Sequence, residues 1–334
     1  MFLTAPLVSS AHVDGRNLDE YIICYAGGPS ANATAAAPAD DPAWAGLQLP
    51  HLQALLALLS PDTLDSGSEM DFSPPHERAL ARTMGLPHAP GLIPWAAWRL
   101  GPQEGKDQAC AFITPCHWHI GADQVRQGDP AGLEISEEES RQLLALLSPW
   151  FVDDGITLEY LEPQLWLARG ALFEGLATAS MDRVIGRDVR PWLPTAEQSR
   201  SLQRLQSEVQ MLLYTHVFND ARAAQGLAPV NAIWIHGAGS LPAQPAAQTR
   251  VQCIEDLRAP ALNADTLAWR QAFAQLDATL MAGLLERVRC GQDLRLTLCG
   301  ERNAQSWNRQ PLGWPQKIKR LIRGNRMPDL RNTL

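Results

Sequence analysis

Apolar residues repeat along this chain with helical spacing in some segments and with strand-like spacing in others. Ser136 and Glu139 have the spacing of a capping box, and Thr195 and Gln198 repeat it before the longest apolar stripe. Helices are predicted over five segments, which are 49–59, 74–84, 136–147, 195–224 and 265–288.

Strand-like patterns occupy much of the chain between these helices. Glu162-Pro163 divides one of them into two antiparallel strands around a turn. From residue 230 onward the order is strand, helix, strand, which favours parallel pairing. The strand segments are 109–120, 156–169, 230–236, 251–255 and 294–299. The sequence therefore predicts an α/β fold with a mixed, partly parallel sheet covered by helices, in one domain over 1–334.

Two segments depart from this pattern. Residues 26–46 are rich in Gly, Ala, Pro and Asp without any period, which predicts a flexible loop. Residues 317–331 hold six basic residues and one acidic residue, a charge of +5, whereas positions 1–316 carry −13. We expect this basic segment to pack as a helix on its own acidic body, with nucleic-acid binding as the alternative.

Composition narrows the class of protein. With 46% hydrophobic and 19% charged residues and a net charge of −8, the chain is typical of a compact protein and not of a general phosphate-backbone binder. Pro50 and His51 interrupt the longest apolar stretch, so no membrane span is expected. The start lacks a basic region before an apolar core, and the six cysteines form no CxxC pair. These features predict a cytoplasmic protein with no membrane partner.

Several enzyme motifs are incomplete. The segment GPQEGKD at 101–107 is one residue short of a P-loop and ends in Asp107 where a hydroxyl is needed. His117 and His119 are the best pair for a metal, because alternate strand residues share a face. No third ligand adjoins them in the sequence, so we favour hydrogen-bonded imidazoles and expect no metal or cofactor.

Polar residues gather at the end of the longest helix and on the strand after it. On a helix, His216 and Asn219 share one face, which suits either a cleft edge or helix capping. Ser180 to Arg187 suits either an anion clamp or a capped helix with a surface ion pair. The candidate ligand-binding residues are His117, His119, Asp182, Arg183, Arg187, His216, Asn219, Arg222, Asn231 and His236.

Three segments together carry a family resemblance. They are TPCHWHIGADQV at 114–125, TASMDRVIGRDVRPWLP at 178–194 and RLQSEVQMLLYTHVFNDARAAQGLAPVNAIWIHGAG at 204–239. They resemble the RpfE-type regulatory protein family of bacteria, over roughly residues 70–325. Members of that family are often described as similar to cofactor-independent phosphoglycerate mutases. The resemblance implies an alkaline-phosphatase/phosphoglycerate-mutase-like fold.

The chain departs from the mutases at their metal motifs. Archaeal-type mutases carry Asp-x-x-Gly-His and Asp-His-Ser-Thr-Pro, whereas Leu298-Cys299-Gly300-Glu301 stands where the second is expected. We therefore expect a regulatory or ligand-binding protein that takes a small anionic or phosphorylated ligand. The alternatives are an active phosphoglycerate mutase or phosphoesterase with a divergent site, and a nucleic-acid-associated factor acting through 317–331.

Overall fold

A computed structural model describes residues 18–29, 43–105, 108–195, 199–242, 250–309 and 330–334. The strands are β1 Asp19–Ile23, β2 Ser60–Asp65, β3 Cys110–Cys116, β4 Trp118–Ile120, β5 Val125–Gln127, β6 Thr157–Glu162, β7 Leu165–Arg169, β8 Ala232–Gly239, β9 Val251–Ile254, β10 Leu294–Cys299 and β11 Ala304–Asn308. The helices are α1 Pro50–Leu58, α2 Pro75–Thr83, α3 Trp95–Glu104, α4 Glu137–Val152, α5 Met181–Val184, α6 Arg200–Tyr214, α7 Val217–Ala224, α8 Arg258–Leu262, α9 Thr266–Leu276, α10 Ala282–Arg289 and α11 Leu330–Thr333.

The contacts divide the chain into two compact units, where the sequence analysis expects one domain. Unit 1 comprises Met1–Met70, Pro75–Met84 and Ala247–Leu334. Unit 2 comprises Asp71–Pro74 and Gly85–Ala246. Each unit contains its own sheet and its own cluster of buried apolar residues.

Unit 1 is built on a five-stranded mixed sheet in the order β2-β11-β10-β1-β9. β1 pairs in parallel with both β10 and β9, while β10–β11 and β11–β2 are antiparallel. The helices α9 and α10 lie between β9 and β10 in the chain, so this is the predicted β-α-β order. The prediction of an α/β fold with a mixed, partly parallel sheet is confirmed.

The two faces of the unit 1 sheet differ in chemistry. Tyr21 and Ile23 on one face join a core that includes residues of α1, α9 and α10. On the other face, Glu20 accepts hydrogen bonds from Thr297 Oγ1 at 2.9 Å and from Thr83 Oγ1 of α2 at 2.8 Å. The buried carboxylate of Glu20 thus has hydroxyl donors within the fold, as a buried charge requires.

Unit 2 contains an antiparallel sheet in the order β6-β7-β3-β8 and a separate two-stranded ribbon, β4–β5. Ile113 and Ile235 project from one face into a core with apolar residues of α4 and α6. Phe112 and His236, which face each other across β3 and β8, project from the opposite face. The hairpin predicted around Glu162-Pro163 is confirmed as β6–β7.

The helix predicted over 195–224 is wrong as a single element. It divides into α6 and α7, with His216 between them in an extended conformation, φ −82° and ψ 137°. The Nδ1 atom of His216 accepts the main-chain N–H of Phe218 at 3.1 Å, and this caps α7. The proposed capping box at its start includes Gln198, which lies outside the described residues. The helix predicted over 265–288 forms with a π-helical segment, Asp277–Met281, inside it.

The loop and the basic tail are described only at their edges. Residues 30–42 of the predicted loop and 310–329 of the tail region lie outside the described residues. Near the end of the basic segment, Leu330 is buried in the unit 1 core. No helix in the described part of the chain is both long enough and apolar enough to cross a membrane.

Candidate functional site

The β4–β5 ribbon of unit 2 presents imidazole and guanidinium groups on one face. The rings of His117 and His119 meet edge to face, with centroids 4.4 Å apart. His119 is the direct cross-strand partner of Arg126, so their side chains share a face. His119 and Arg126 are exposed to solvent, whereas His117 is half-buried. We call His117, His119 and Arg126 the ribbon cluster.

The orientation of His117 is fixed by the main chain. Its Nδ1 lies 2.8 Å from the main-chain oxygen of Pro229. Because a carbonyl only accepts, Nδ1 carries the proton and Nε2 is left for another partner. Burial lowers the pKa of His117 and the nearby His119 lowers it further, while the Pro229 carbonyl opposes both. Without a bound anion, His117 therefore favours its neutral form.

Two asparagines hold the segment that orients His117. Asn219 of α7 donates through Nδ2 to Val230 O at 2.8 Å and accepts from Val230 N at 2.9 Å. Asn231 accepts from Trp118 N at 2.6 Å and donates to Trp118 O at 2.9 Å. These predicted ligand residues therefore make internal hydrogen bonds that connect the helix end to the ribbon.

Arg126 is oriented by the turn and by the chain beside it. With its amide oxygen turned toward the guanidinium, Gln124 accepts from Arg126 Nε at 3.0 Å and Nη2 at 2.8 Å. Arg126 also forms a β-bridge with Asp188, whose carboxylate is paired with Arg190 at 2.6 Å. The carboxylate of this bridging residue is thus already paired with an arginine close to it in the chain.

The segment from Ser180 to Arg187 reaches the same ribbon. Arg187 O accepts from Gln127 N at 3.0 Å, and Gly186 N donates to Gln127 O at 2.8 Å. At the segment's start, Ser180 Oγ accepts from Asp182 N at 3.3 Å and caps the short helix α5. The guanidinium side chain of Arg183 is buried in this part of unit 2. The structure thus brings the segment from Ser180 to Arg187 against the ribbon.

His236 occupies a different place. Its Nε2 lies 3.1 Å from Thr114 Oγ1, and its ring packs beside Phe112 with centroids 5.5 Å apart. Burial lowers the pKa of His236 to about 4, and the charge of Asp182 opposes this shift. The imidazole is therefore neutral at physiological pH.

Arg222 lies on the opposite side of the unit 2 sheet from His236. Its guanidinium donates to Ala228 O at 2.8 Å, to the main-chain oxygen of Leu133 and to Glu139 at 2.7 Å. These partners belong to the side covered by α4 and α6, so Arg222 and His236 do not line one cleft. His216 caps α7, as described above.

The side chains at the edge of unit 1 where the parallel strands end decide whether a two-metal site of the mutase kind can form there. Cys24 follows β1. Cys299 is the last residue of β10, and Gly300 and Glu301 come directly after it. A Cβ atom at Gly27 would lie 2.9 Å from Gly300 Cα, so the two chain segments approach closely here. Among the described residues, no three His, Cys, Asp or Glu side chains are placed to hold one metal ion. The residues at this edge do not fit a two-metal centre.

Comparisons with known proteins give only distant likenesses. No family model matches this chain, and no curated protein matches it. One similar solved structure is the PH0037 protein from Pyrococcus horikoshii, with 11% identity and a TM-score of 0.43, covering 88% of this chain and 87% of that chain. Another is a cofactor-independent phosphoglycerate mutase from Thermoplasma acidophilum, with 14% identity and a TM-score of 0.34, covering 88% and 90%. TM-scores below 0.5 assign no chemistry to this chain.

Sequence reasoning missed two groups of residues. Arg126 was not selected, although the short polar stretch GADQ between two apolar positions indicates a turn that pairs it with His119. Cys24, Cys253 and Cys299 form no motif in the sequence, although Cys24 follows β1, Cys253 lies within β9 and Cys299 ends β10. Their proximity depends on strand order, which the sequence does not specify.

Proposed function

We propose that this chain is a regulatory, ligand-binding protein that takes a small anionic or phosphorylated molecule at the ribbon cluster. The observation that supports this most strongly is the grouping of the His117 and His119 rings, 4.4 Å apart, on the face that also carries Arg126. Three nitrogen-rich side chains on one exposed face suit an anion with several oxygens. The regulatory part of the proposal rests on the family resemblance of residues 114–125, 178–194 and 204–239.

Each side chain has a defined part in this proposal. The planar guanidinium of Arg126, oriented by Gln124, offers paired N–H donors to a phosphate or carboxylate. His117 holds its Nδ1 proton against Pro229 and directs Nε2 away from that carbonyl. When the ring gains a second proton, Nε2–H becomes a charged donor to the anion. Binding is therefore expected to strengthen as the pH falls toward the titration range of histidine.

The segment after Ser180 supplies a route from ligand to regulation. Its hydrogen bonds from Gly186 and to Arg187 join it to Gln127 of β5, next to Arg126 in the chain. An anion that binds Arg126 shifts this side chain and with it β5. The segment from Ser180 to Arg187 is hydrogen-bonded to β5, so its position changes too. A population shift of the segment is the expected consequence, because the ligand binds the two arrangements with different affinity.

Calorimetric titration with inorganic phosphate and with 3-phosphoglycerate tests the proposal. Arg126→Ala and His119→Ala are each expected to weaken binding by about tenfold, the equivalent of one charge-assisted hydrogen bond of ~1.4 kcal/mol. His88→Ala is the matched control, because His88 is an exposed histidine of unit 2 that is not part of the ribbon. Wild-type protein that binds neither compound, or variants that bind as tightly as wild type, would contradict the proposal.

A further inference from the structure

Three thiols lie on one face of the unit 1 sheet, near the ends of its parallel strands. Cys253 belongs to β9, Cys24 follows β1, and Cys299 is the last residue of β10. The pairing of Ile23 with Leu298, continued by one residue, places Cys299 opposite Cys24 on the same face of the sheet. The three strands are neighbours in the order β10-β1-β9, so Cys24 occupies the middle position.

Among these three cysteines, Cys24 and Cys253 make a direct sulfur–sulfur contact. Their sulfur atoms are 3.9 Å apart, and Cys24 N donates to Ile254 O at 3.1 Å, which fixes the two main chains beside each other. A disulfide needs an S–S distance of about 2.05 Å, so side-chain rotation of the two cysteines has to close roughly 2 Å. In the parallel register Cys253 lies opposite Ile22, two residues before Cys24, so the two thiols are diagonal neighbours on one face of the sheet.

The two thiols differ in access to solvent. Cys24 is 1% exposed, whereas Cys253 is partly exposed at the edge strand of the sheet. An oxidant in solution therefore meets Cys253 first. Cys24 then stands directly behind it as the second thiol, which is the arrangement of a reactive and a resolving cysteine.

We propose that Cys253 and Cys24 form a reversible disulfide when the protein meets hydrogen peroxide. The Cys253 thiolate attacks one peroxide oxygen, the O–O bond breaks, and the products are a Cys253 sulfenic acid and hydroxide. The Cys24 sulfur then attacks the sulfenic sulfur and releases water after proton transfer. In total two thiols and one hydrogen peroxide give one disulfide and two waters, and a dithiol reductant reverses the change.

The proton distribution within the pair supports this order of events. The hydrogen bond with Cys253 raises the pKa of Cys24 well above its usual value, and burial raises it further. Cys24 therefore keeps its proton, while Cys253 is the thiol that solvent reaches. Burial also raises the pKa of Cys299, so this third thiol remains protonated behind the pair.

This inference is independent of the proposed ligand. Cys24, Cys253 and Cys299 belong to unit 1, and the ribbon cluster belongs to unit 2. Failure of anion binding leaves the disulfide proposal standing, and failure of the disulfide leaves the ligand proposal standing. The consequence for the fold is a covalent bond between β1 and the edge strand β9.

The full-length protein, treated with stoichiometric hydrogen peroxide and then alkylated and digested, tests the proposal by mass spectrometry. We expect one internal disulfide joining the peptides that contain Cys24 and Cys253, and its loss on reduction. Cys253→Ser should abolish it. Cys24→Ala should leave a Cys253 sulfenic acid that a dimedone probe traps. Cys290→Ser is the control, because Cys290 is exposed on the surface, and it should form the disulfide as wild type does.

Two results would overturn the inference. One is a wild-type protein in which Cys24 and Cys253 stay reduced while Cys290 is oxidised. The other is a disulfide that joins Cys24 to Cys299 and survives in the Cys253→Ser variant. If Cys24→Ala fails to fold, the wild-type peptide map and the surface variant Cys253→Ser still decide between these outcomes.

Discussion

Arg222 Nη1 lies 2.7 Å from Glu139 Oε1, and this ion pair joins α7 to the first turn of α4 inside unit 2. The arginine is 1% exposed, and its other donors satisfy the main-chain oxygens of Leu133 and Ala228. Arg222→Ala is expected to lower the free energy of unfolding by about 3 kcal/mol, because it leaves those buried acceptors without a donor. Urea denaturation of the variant measures this loss.

An exposed arginine of the same unit provides the control for Arg222. Arg99 pairs with Glu162 on the surface, where the two side chains are 40% and 48% exposed. Arg99→Ala is expected to cost below about 0.5 kcal/mol, because surface ion pairs are screened by water and salt. Equal losses in the two variants would mean that Arg222 does not stabilise unit 2 from within.

His236 gives the fold a pH dependence with a definite sign. Burial lowers its pKa from 6.5 to about 4. Between these two pH values the imidazole is protonated in the unfolded chain and neutral in the folded chain. Stability is fully present above pH 6.5 and decreases as the pH falls toward 4, by about 3 kcal/mol in the limit. His236→Gln removes this dependence, so the stability difference between wild type and variant should narrow over that range. If urea denaturation shows the same stability difference between wild type and variant at every pH, this assignment to His236 is contradicted.

The local elements of this fold were predictable, because they depend on short-range signals. Ser136 and Glu139 form the reciprocal capping box, with Glu139 N donating to Ser136 Oγ at 3.1 Å and Ser136 N donating to Glu139 Oε2 at 2.9 Å. The turn at Glu162-Pro163 likewise produced the β6–β7 hairpin. These features need only residues a few positions apart.

What the sequence left open depends on contacts between distant residues. The break at His216 was missed because the apolar stripe continues through it, while the imidazole caps the second helix. Arg222 is among the predicted ligand-binding residues because its actual partners, Leu133 and Glu139, are distant in sequence. The division into two units was not anticipated, because unit 1 is assembled from both ends of the chain.

Truncation after Trp314 tests the role assigned to the basic segment 317–331. It also removes Leu330, which is buried in the unit 1 core, and Thr333, whose main-chain oxygen accepts from Asn303 Nδ2 at 2.8 Å. The melting temperature is expected to fall, with negligible nucleic-acid affinity at physiological salt before or after truncation. The full-length variant Leu330→Ala separates the lost core contact from the lost charges. Tight, salt-sensitive binding of DNA or RNA that disappears on truncation would favour the nucleic-acid alternative.

Turnover of 3-phosphoglycerate by manganese-supplemented protein separates ligand binding from mutase activity. The thiol-lined edge at Cys24 and Cys299 does not fit a two-metal centre, so we expect no isomerisation above the uncatalysed rate. A coupled assay that detects 2-phosphoglycerate measures the rate of isomerisation. A rate near the ~10 s⁻¹ typical of enzymes would replace the regulatory proposal with the enzymatic alternative.

Histidine-detected nuclear magnetic resonance tests anion binding at the ribbon cluster most directly. The imidazole signals of wild-type protein are followed through pH titration with and without inorganic phosphate. The account predicts that phosphate raises the pKa of His117, which burial holds low, because a bound anion favours the imidazolium. The signals of His119 should respond to phosphate as well, and those of His88 should not. A His117 titration that phosphate leaves unchanged would contradict the account.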